Sequence, residues 1–437
     1  MTTTRPISRS ITLKISPRRT GLLLFLLAFL VRAAIIVHYR PYHDLDRYEL
    51  ERTAISLATT GVYGNPYALP TGPTAHVSPG YTLVLAALFH LFGTGTTAEI
   101  IKELLSTAVS SLAIALLPAI ATILQLDRRT GVIAALVMAL YPARPLVEID
   151  GDWEAPYMAL SLMLAAALTA YIWTKGNLPL WASVWHGLCW GIALLCVGAL
   201  VPLFLAFLIA GAFAQRHWLR RYIAFAVIEI IVAAACLTPW VIRNYFVLGS
   251  PILTRTNAGI ELRISNNNLA TADQRVNYIH GLFSRYHPLQ SPTEALKVRK
   301  LGEVEYNREA LNEAKQWIAA HPARFLELTL GRIRCFWFYV DPTSYTKTAF
   351  LWVIDLLGLS GLIVALFQRR LAGFILAMIA LIYPLPNYFV HVGLRQSYPV
   401  EWLMLLLTAA LVSGQFTAKQ KAVEAYAVSR AAAPLVS

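Results

Sequence analysis

The chain has 437 residues, of which 57% are hydrophobic and only 14% are charged. Soluble domains carry about 25% charged residues, so this composition excludes an ordinary soluble enzyme and indicates a protein with many membrane-spanning helices. The net charge of +13 does not point to nucleic acid as a partner, because the basic residues form short clusters between apolar runs, as in loops that face anionic headgroups.

Apolar runs of membrane-spanning length recur along the chain, and the charges between them predict their orientation. Residues 1–20 contain five basic residues and no acid, so the positive-inside rule predicts a cytoplasmic amino terminus. Arg32 lies inside the first run, where a charge is costly, so we expect it to face protein or headgroups. The run at 81–93 is shorter than the ~20 residues that a span needs, and we predict that it stays outside as a juxtamembrane or re-entrant helix.

We therefore predict an all-α polytopic membrane protein with about ten transmembrane helices and both termini in the cytoplasm. The predicted spans lie at about 21–38, 99–125, 130–147 and 155–173, with two more divided near Gly198, and then at about 222–239, 350–367, before 386, and 400–413. The predicted regions are a basic cytoplasmic tail (1–20), an N-terminal transmembrane module (21–238) with a first outer loop (40–98), a large outer loop (239–349), C-terminal transmembrane helices (350–415) and a cytoplasmic tail (416–437). Residues 303–340 of the large loop are predicted to be helical, with a second helix starting at His321-Pro322.

The stretch HDLDRYELERTAISLATTG (43–61) is the first strongly charged segment beyond the first span. Apolar residues recur in it at helical spacing, and Gly61 is expected to end the helix. Asp46 and Glu49 form a pattern like a capping box, so Asp46 has an alternative role as the helix N-cap. Asp44 has no such explanation. It lies near the positive end of the helix dipole, where an ionised carboxylate is favoured and can accept the proton of an incoming hydroxyl.

The segment EIDGDWEAPY (148–157) is a second acidic cluster, predicted on the same face of the membrane. A solvated turn is the alternative interpretation, helped by Gly151, but four acids in seven residues exceed what a turn needs. Glu154 is expected to face inward, with Asp152 next. With the first loop, these carboxylates could orient an acceptor or bind a divalent cation such as Mg²⁺ or Mn²⁺, although the pattern identifies no particular metal site.

Two arginines are candidates for binding an anion on this face. Arg243 follows the span at 222–239, and Arg395 precedes the last span. Each could instead be an interfacial anchor beside aromatic residues. A guanidinium matches phosphate in a bidentate geometry, so two of them together could bind a phosphate and stabilise it as a leaving group. His76 could also contact the phosphate, or it could satisfy a loop carbonyl.

An ordered set of motifs over most of residues 20–415 resembles the GT-C superfamily of membrane glycosyltransferases. DLDRY resembles the acidic motif of the first outer loop, and HVSPGYTLVLAALFHLFG resembles the segment that follows it. PWVIRNYFVLGSPILTRTNAGIELRISNNN and LRQSYPVEWLMLLL resemble two later blocks. The resemblance is to the bacterial family 39-type branch, related to protein O-mannosyltransferases and the lipid A aminoarabinose transferase.

The resemblance implies an inverting transferase in the plasma membrane with an extracytoplasmic active site. It implies a polyprenyl-phosphate-linked sugar donor and a hydroxyl acceptor on a lipid, a glycan or a protein. Asp44 matches the family's catalytic acid, His76 matches a polar position, and Arg243 and Arg395 match basic positions. Asp46 and Glu154, from the two acidic clusters, are further catalytic candidates. The candidate substrate-binding residues are Tyr48, His76, Asp152, Arg243, Asn244, Asn267, Arg395 and Tyr398. Leu45 separates the two aspartates where many relatives have an adjacent pair, and metal dependence does not carry over.

Two other functions remain open at this stage. A flippase or transporter of lipid-linked sugars would need charged residues near the middle of spans and an internal repeat, and only Arg32 lies clearly within a span. A glycan ligase or polymerase with a pyrophosphate-linked oligosaccharide donor would share the same motifs. The sequence does not identify the sugar or the acceptor.

Overall fold

The computed structural model describes residues 16–43, 47–174 and 179–416. Asp44 and Asp46, most of the basic amino-terminal tail and nearly all of the carboxy-terminal tail lie outside the described residues.

The described residues form 21 α-helices and no β-strand. In chain order the helices are α1 (Pro17–Tyr39), α2 (Glu49–Thr60), α3 (Pro79–Phe92), α4 (Thr96–Ile123), α5 (Arg128–Leu140), α6 (Pro145–Ile149), α7 (Ala155–Thr174), α8 (Leu180–Cys196), α9 (Val201–Ala214), α10 (Leu219–Leu248), α11 (Ala258–Ser265), α12 (Gln274–Ile279), α13 (Leu282–Tyr286), α14 (Pro292–Leu301), α15 (Glu303–Ala320), α16 (Pro322–Trp337), α17 (Tyr345–Phe367), α18 (Leu371–Ile382), α19 (Leu385–Phe389), α20 (Leu394–Ser397) and α21 (Glu401–Val412).

Each of the ten predicted spans corresponds to a helix. Six helical segments of the described part of the chain are long and apolar enough to cross a membrane: Pro17–Tyr39, Thr96–Ile123, Ala155–Thr174, Arg216–Leu248, Tyr345–Phe367 and Leu371–Phe389. The other four predicted spans, α5, α8, α9 and α21, are shorter than the ~20 residues that a full crossing needs. Helices α8 and α9 are separated by a short 3₁₀ turn, Gly198–Leu200, close to the predicted division.

Helix α21 lies at the centre of the bundle and packs against α17 and α5. All of its residues from Glu401 to Ala410 are buried. Gly358 and Gly361 of α17 permit this contact, because a Cβ at either position would come within 3 Å of atoms of Met404 or Leu407. Small residues on one helix face allow two backbones to approach closely within a membrane.

The charge inside α1 is paired within the protein. Arg32 is fully buried and forms an ion pair with Glu148 of α6, which is equally buried. An isolated guanidinium would be costly at this depth, so this pair ties α1 to the segment before α7. The expectation that Arg32 faces protein is confirmed.

Helices α2 and α3 of the predicted first outer loop pack on each other. The short helix α3 packs on α2, as Leu50 and Ala54 meet Tyr81, Leu85 and Phe89.

The predicted break at 321–322 is confirmed, because α15 ends at Ala320 and α16 begins at Pro322. Proline is favoured in the first turn of a helix, which explains the position of this break.

Glu303 joins the large outer loop to the first one. This buried carboxylate, the first residue of α15, accepts hydrogen bonds from the Thr74 hydroxyl, the Ala75 backbone N–H (2.7 Å) and the Thr256 hydroxyl. A carboxylate is stabilised at a helix N-terminus by the dipole as well as by these donors. The loop before α3 is thereby held against the loop that carries Arg255.

Candidate active site

A cavity of about 470 Å³ lies where the loop segments meet the ends of the helices. Its wall is formed by the start of α7, the break between α8 and α9, the loop after α10, helix α11 and the segment 383–396. Pockets of a few hundred Å³ with a few convergent polar groups are typical of small-molecule sites. Its charged or ionisable side chains are Glu154, Arg255, Glu261, Tyr383, His391 and Arg395.

Glu154 and Arg255 face each other in this cavity. Arg255 Nη1 lies 3.8 Å from Glu154 Oε1, and Arg255 Nε donates to the backbone oxygen of His76 at 3.1 Å. Glu154 is only 9% exposed, and its Oε2 atom has no hydrogen-bond partner among the described residues. A buried carboxylate oxygen without a donor is costly, so a bound group with an O–H or N–H would be stabilised here.

Arg395 enters the cavity from α20 and is held by an aromatic platform. Its guanidinium carbon lies 3.5 Å from the centre of the Trp153 ring, and the Tyr48 ring lies 5.2 Å from that of Trp153. A cation over the face of an indole is attracted by the ring quadrupole. Tyr48 is two residues from Asp46, so this stack connects the cavity to the segment that carries the predicted catalytic acids.

Glu261 and His391 form a second polar pair in the wall. The backbone N–H of His391 donates to Ser265 Oγ (2.9 Å), so the Ser265 hydroxyl can donate to His391 Nδ1 (2.9 Å). The proton of the neutral imidazole then lies on Nε2, which is 3.5 Å from Glu261 Oε2.

The pKa values of this pair follow from burial and from the nearby charges. Burial lowers the pKa of His391 to about 4, although the carboxylate of Glu261 acts in the opposite direction. Burial alone would raise the pKa of Glu261, but His391, His287, Arg255 and Arg395 hold it below its usual range. At neutral pH the cavity therefore presents a carboxylate and a neutral imidazole.

Arg243 and Asn244, both predicted to bind substrate, brace the first loop instead of lining the cavity. Arg243 Nη1 donates to the Thr74 carbonyl (2.6 Å) and Nη2 to the Tyr63 carbonyl (2.8 Å). The guanidinium also lies over the rings of Tyr63 and Trp240. Asn244 is fully buried and donates to the carbonyl of Ile252. These donors fix loop geometry, because they are bound to backbone carbonyls of the surrounding loops.

Asn267 and Tyr398 also occupy structural positions. The Asn267 side-chain amide donates to the carbonyls of Arg263 and Ile264 at the end of α11, so it caps that helix. Tyr398 is buried in the core of the bundle, in the 3₁₀ turn before α21. Neither residue lines the cavity.

His76 and Asp152 belong to two clusters beside the cavity. Asp152 forms an ion pair with Lys102 of α4, which is described below. His76 groups with Glu49 and His287, and one potential ligand atom from each lies within 4.8 Å of the other two. Burial lowers the pKa of His76 well below its usual value, with further lowering by His287 and Arg255, so the imidazole is neutral and able to ligate a cation.

The donor set of this second cluster differs from the one expected for Mg²⁺ or Mn²⁺. Two imidazoles and one carboxylate suit Zn²⁺ better than those oxygen-preferring ions. The Leu289 N–H donates to His287 Nδ1 (3.1 Å), which leaves the proton of the neutral ring on Nε2, 3.2 Å from Glu49 Oε1. His287 Nε2 thus faces the Glu49 carboxylate, and a metal at Nε2 would require that proton to leave.

Sequence reasoning identified Glu154 and Arg395 in the cavity but missed Arg255, Glu261 and His391. Arg255 and Glu261 lie in a stretch that was used for the family resemblance, and His391 lies shortly before another. The signal available was the polar run in LTRTNAGIE and the isolated histidine in NYFVHVG.

No protein family model and no curated protein matches the chain. Solved structures do match it. The archaeal oligosaccharyltransferase AglB from Archaeoglobus fulgidus, in complex with an inhibitory peptide and a dolichol-phosphate, is 14% identical, with 95% of this chain and 52% of that chain covered and a TM-score of 0.55. The crystal structure of the oligosaccharyltransferase from the same organism with Zn and sulfate is 13% identical, with 94% and 51% covered and a TM-score of 0.50.

ArnT from Cupriavidus metallidurans bound to undecaprenyl phosphate is 16% identical, with 90% of this chain and 78% of that chain covered and a TM-score of 0.34. The chain has the all-α fold of these oligosaccharyltransferase structures, so the predicted GT-C-like helical fold is confirmed. It spans about half the length of the oligosaccharyltransferase chains that it matches.

Proposed function

We propose that the protein is a membrane glycosyltransferase that moves a sugar from a polyprenyl-phosphate-linked donor to a hydroxyl acceptor. The observation that carries this proposal is a cavity that brings two arginines and two carboxylates together within a GT-C-like fold. Guanidinium groups can bind a phosphate and stabilise it as a leaving group, and a carboxylate can accept the proton of a hydroxyl. The cavity wall thus brings together groups of the two kinds that transfer from a sugar phosphate requires.

In this proposal Arg255 and Arg395 hold the donor phosphate. They take the role that the sequence predicted for Arg243 and Arg395, because the Arg243 donors are already used by carbonyls. The apolar part of the wall, which includes Met158, Val197 and Leu262, suits the first isoprene units of the lipid. The complex of AglB with a dolichol-phosphate provides a parallel for this class of ligand.

The reaction is proposed to be a single inverting displacement. The acceptor oxygen attacks the anomeric carbon, the bond from that carbon to the phosphate oxygen breaks, and the hydroxyl proton passes to a carboxylate. Asp44 is the proposed base, with Asp46 as the alternative, and Glu154 orients the acceptor through its unpartnered Oε2. The charge that develops on the departing phosphate is stabilised by the two guanidinium groups.

A second candidate is the transfer of an oligosaccharide from a lipid carrier. It is favoured by the likeness to oligosaccharyltransferases, which share the fold over almost the whole chain. Chemical analysis of the lipid-linked sugars that accumulate in a deletion strain distinguishes the two: a lipid-linked monosaccharide supports the first candidate and a lipid-linked oligosaccharide supports the second.

The phosphate site can be tested by binding. Full-length protein in nanodiscs is titrated with a short-chain polyprenyl phosphate, comparing wild type with Arg255→Met and Arg395→Met. Loss of a charge-assisted hydrogen bond is worth about 1.5–3 kcal/mol, so each substitution should raise Kd by roughly 10- to 100-fold. Arg299→Met, at an exposed position of α14, is the matched control and should bind as wild type. Unchanged binding in both cavity variants would refute the proposed site.

A further inference from the structure

Lys102 of α4 is surrounded by three carboxylates from three separate segments. Its Nζ atom lies 2.7 Å from Glu51 Oε1, 2.8 Å from Glu99 Oε2 and 2.7 Å from Asp152 Oδ1. The side chains of Lys102, Glu51 and Glu99 are at most 5% exposed, and that of Asp152 is 21% exposed. One ammonium group therefore joins α2, α4 and the segment before α7.

The backbone around this contact is shaped to admit the lysine. Gly151 has φ +69°, and a Cβ there would lie 2.9 Å from Lys102 Cγ. The turn therefore requires glycine both for its conformation and for the space that the lysine stem occupies. The Tyr81 hydroxyl donates to the Gly151 carbonyl, which fixes the turn from the side of α3.

Acids outnumber cations around Lys102 in the described part of the chain. Besides the three carboxylates in contact with Lys102, Asp150 accepts from the Asp152 N–H, and Glu103 is 1% exposed with an Oε2 atom that has no hydrogen-bond partner. The second cation is Arg47, whose Nη2 lies 3.1 Å from Glu99 Oε1. The cluster thus has fewer positive charges than carboxyl groups, so each positive charge is needed to balance the carboxylates.

Two acids of this cluster, Glu51 and Asp150, have raised pKa values. Burial raises the pKa of Glu51 to about 7, although Lys102 acts against the rise. Burial, and then the charge of Asp152, raises the pKa of Asp150 to about 8. Removing the ammonium would leave carboxylates buried without a counter-charge, which is strongly unfavourable.

We propose that the Lys102 ammonium is an internal cation that takes the place of a divalent metal ion at this junction. Three carboxylate oxygens around one point form the ligand set of Ca²⁺, Mg²⁺ or Mn²⁺. The separations of 2.7–2.8 Å suit N–H···O hydrogen bonds and exceed the metal–oxygen distances of about 2.0–2.6 Å that such ions require. The junction is therefore built for an ammonium, and it would become a cation site if the ammonium were removed.

The consequence for the active site rests on the proposed function, whereas the internal cation itself does not. Asp152 is followed by Trp153, which carries Arg395, and by Glu154, which lines the cavity. Arg47 directly follows the segment with Asp44 and Asp46. Lys102 is thus a positioning residue that holds the acid-bearing first loop beside the wall that binds phosphate.

The test is a thermal unfolding measurement on full-length protein in detergent, with EDTA or with Mn²⁺ alone. Wild type should unfold at the same temperature in both conditions. Lys102→Met should unfold several degrees lower in EDTA and should recover much of this loss in Mn²⁺, because the metal can occupy the vacated position. Lys315→Met, at an exposed position of α15, should match wild type in both conditions.

Three outcomes would overturn the proposal. They are an equal stabilisation of wild type by Mn²⁺, a Lys102→Met variant as stable as wild type in EDTA, and a variant whose loss Mn²⁺ does not repair. If Lys102→Met does not accumulate in the membrane, the charge-balanced pair Lys102→Met/Glu51→Gln should fold, and its failure would also count against the proposal. Since no sugar transfer is measured, a failure of the proposed function would leave this result unaffected.

Discussion

The guanidinium of Arg395 lies over the indole of Trp153, 3.5 Å from the ring centre, and Tyr48 packs against the same indole. Trp153 is flanked by Asp152, which is paired with Lys102, and by Glu154, which faces Arg255. One short segment before α7 therefore connects the charged junction, the cation over the aromatic ring and the cavity. The geometry of this segment determines whether Arg255 and Arg395 can bind the same phosphate.

Trp153→Leu should weaken donor binding with little change in protein stability. A cation–π contact is worth about 0.5–2 kcal/mol, so the KM for the lipid-linked donor should rise roughly 3- to 30-fold, and Trp153→Phe should show a smaller rise. Steady-state kinetics with purified enzyme measures the effect. Trp185→Leu, an exposed tryptophan of α8, should behave as wild type. An unchanged KM in Trp153→Leu would show that the platform does not position Arg395.

Asp44→Asn should abolish transfer while expression and membrane insertion persist. General base catalysis contributes about 10²- to 10⁴-fold, so the loss should be of that order. The assay is transfer by matched amounts of membrane-inserted protein, with Asp46→Asn measured in parallel. A selective loss in Asp46→Asn would assign the base to Asp46, and full activity in both variants would mean that the base lies elsewhere.

Glu154→Gln should separate binding from turnover. Glu154 lies 3.8 Å from Arg255 and competes with an incoming phosphate for that guanidinium. Removing its charge should tighten polyprenyl phosphate binding, whereas kcat should fall because the acceptor loses an orienting carboxylate. Titration and single-turnover kinetics measure the two effects. Weaker phosphate binding by Glu154→Gln would contradict the competition between Glu154 and phosphate for Arg255.

His391 should make the protein less stable in mild acid. Its pKa is about 4 in the folded protein, because of burial and of the nearby positive groups Arg395, Arg332 and His287, against the attraction of Glu261. The unfolded chain binds the proton more readily below about pH 6.5, so stability is retained above that pH and is lost progressively towards pH 4.

The full pKa difference corresponds to about 3 kcal/mol. Unfolding temperatures in detergent between pH 7.5 and 4.5 should fall less steeply for His391→Gln than for wild type. Glutamine can keep the hydrogen bond with Ser265 but does not titrate. Parallel pH profiles for the two proteins would exclude His391 as the source of the acid sensitivity.

Local pattern was sufficient to predict most of the helices. The ten predicted spans and the break between α15 and α16 depend on runs of apolar residues and on a proline, which act through neighbours a few residues away. The inward position predicted for Glu154 followed from its place directly before such a run. Asp44 and Asp46 remain predictions, because they lie outside the described residues.

The partners of individual charges were decided only by the tertiary structure. Arg243 lies near the end of α10 and meets carbonyls of Tyr63 and Thr74, whereas Arg255 lies in the loop after α10 and meets Glu154. The sequence by itself determined a helical membrane protein with acids and arginines in its outer loops. Which of these charges share a cavity depended on loops more than a hundred residues apart, because a side chain's partner is set by long-range packing and not by its sequence neighbours.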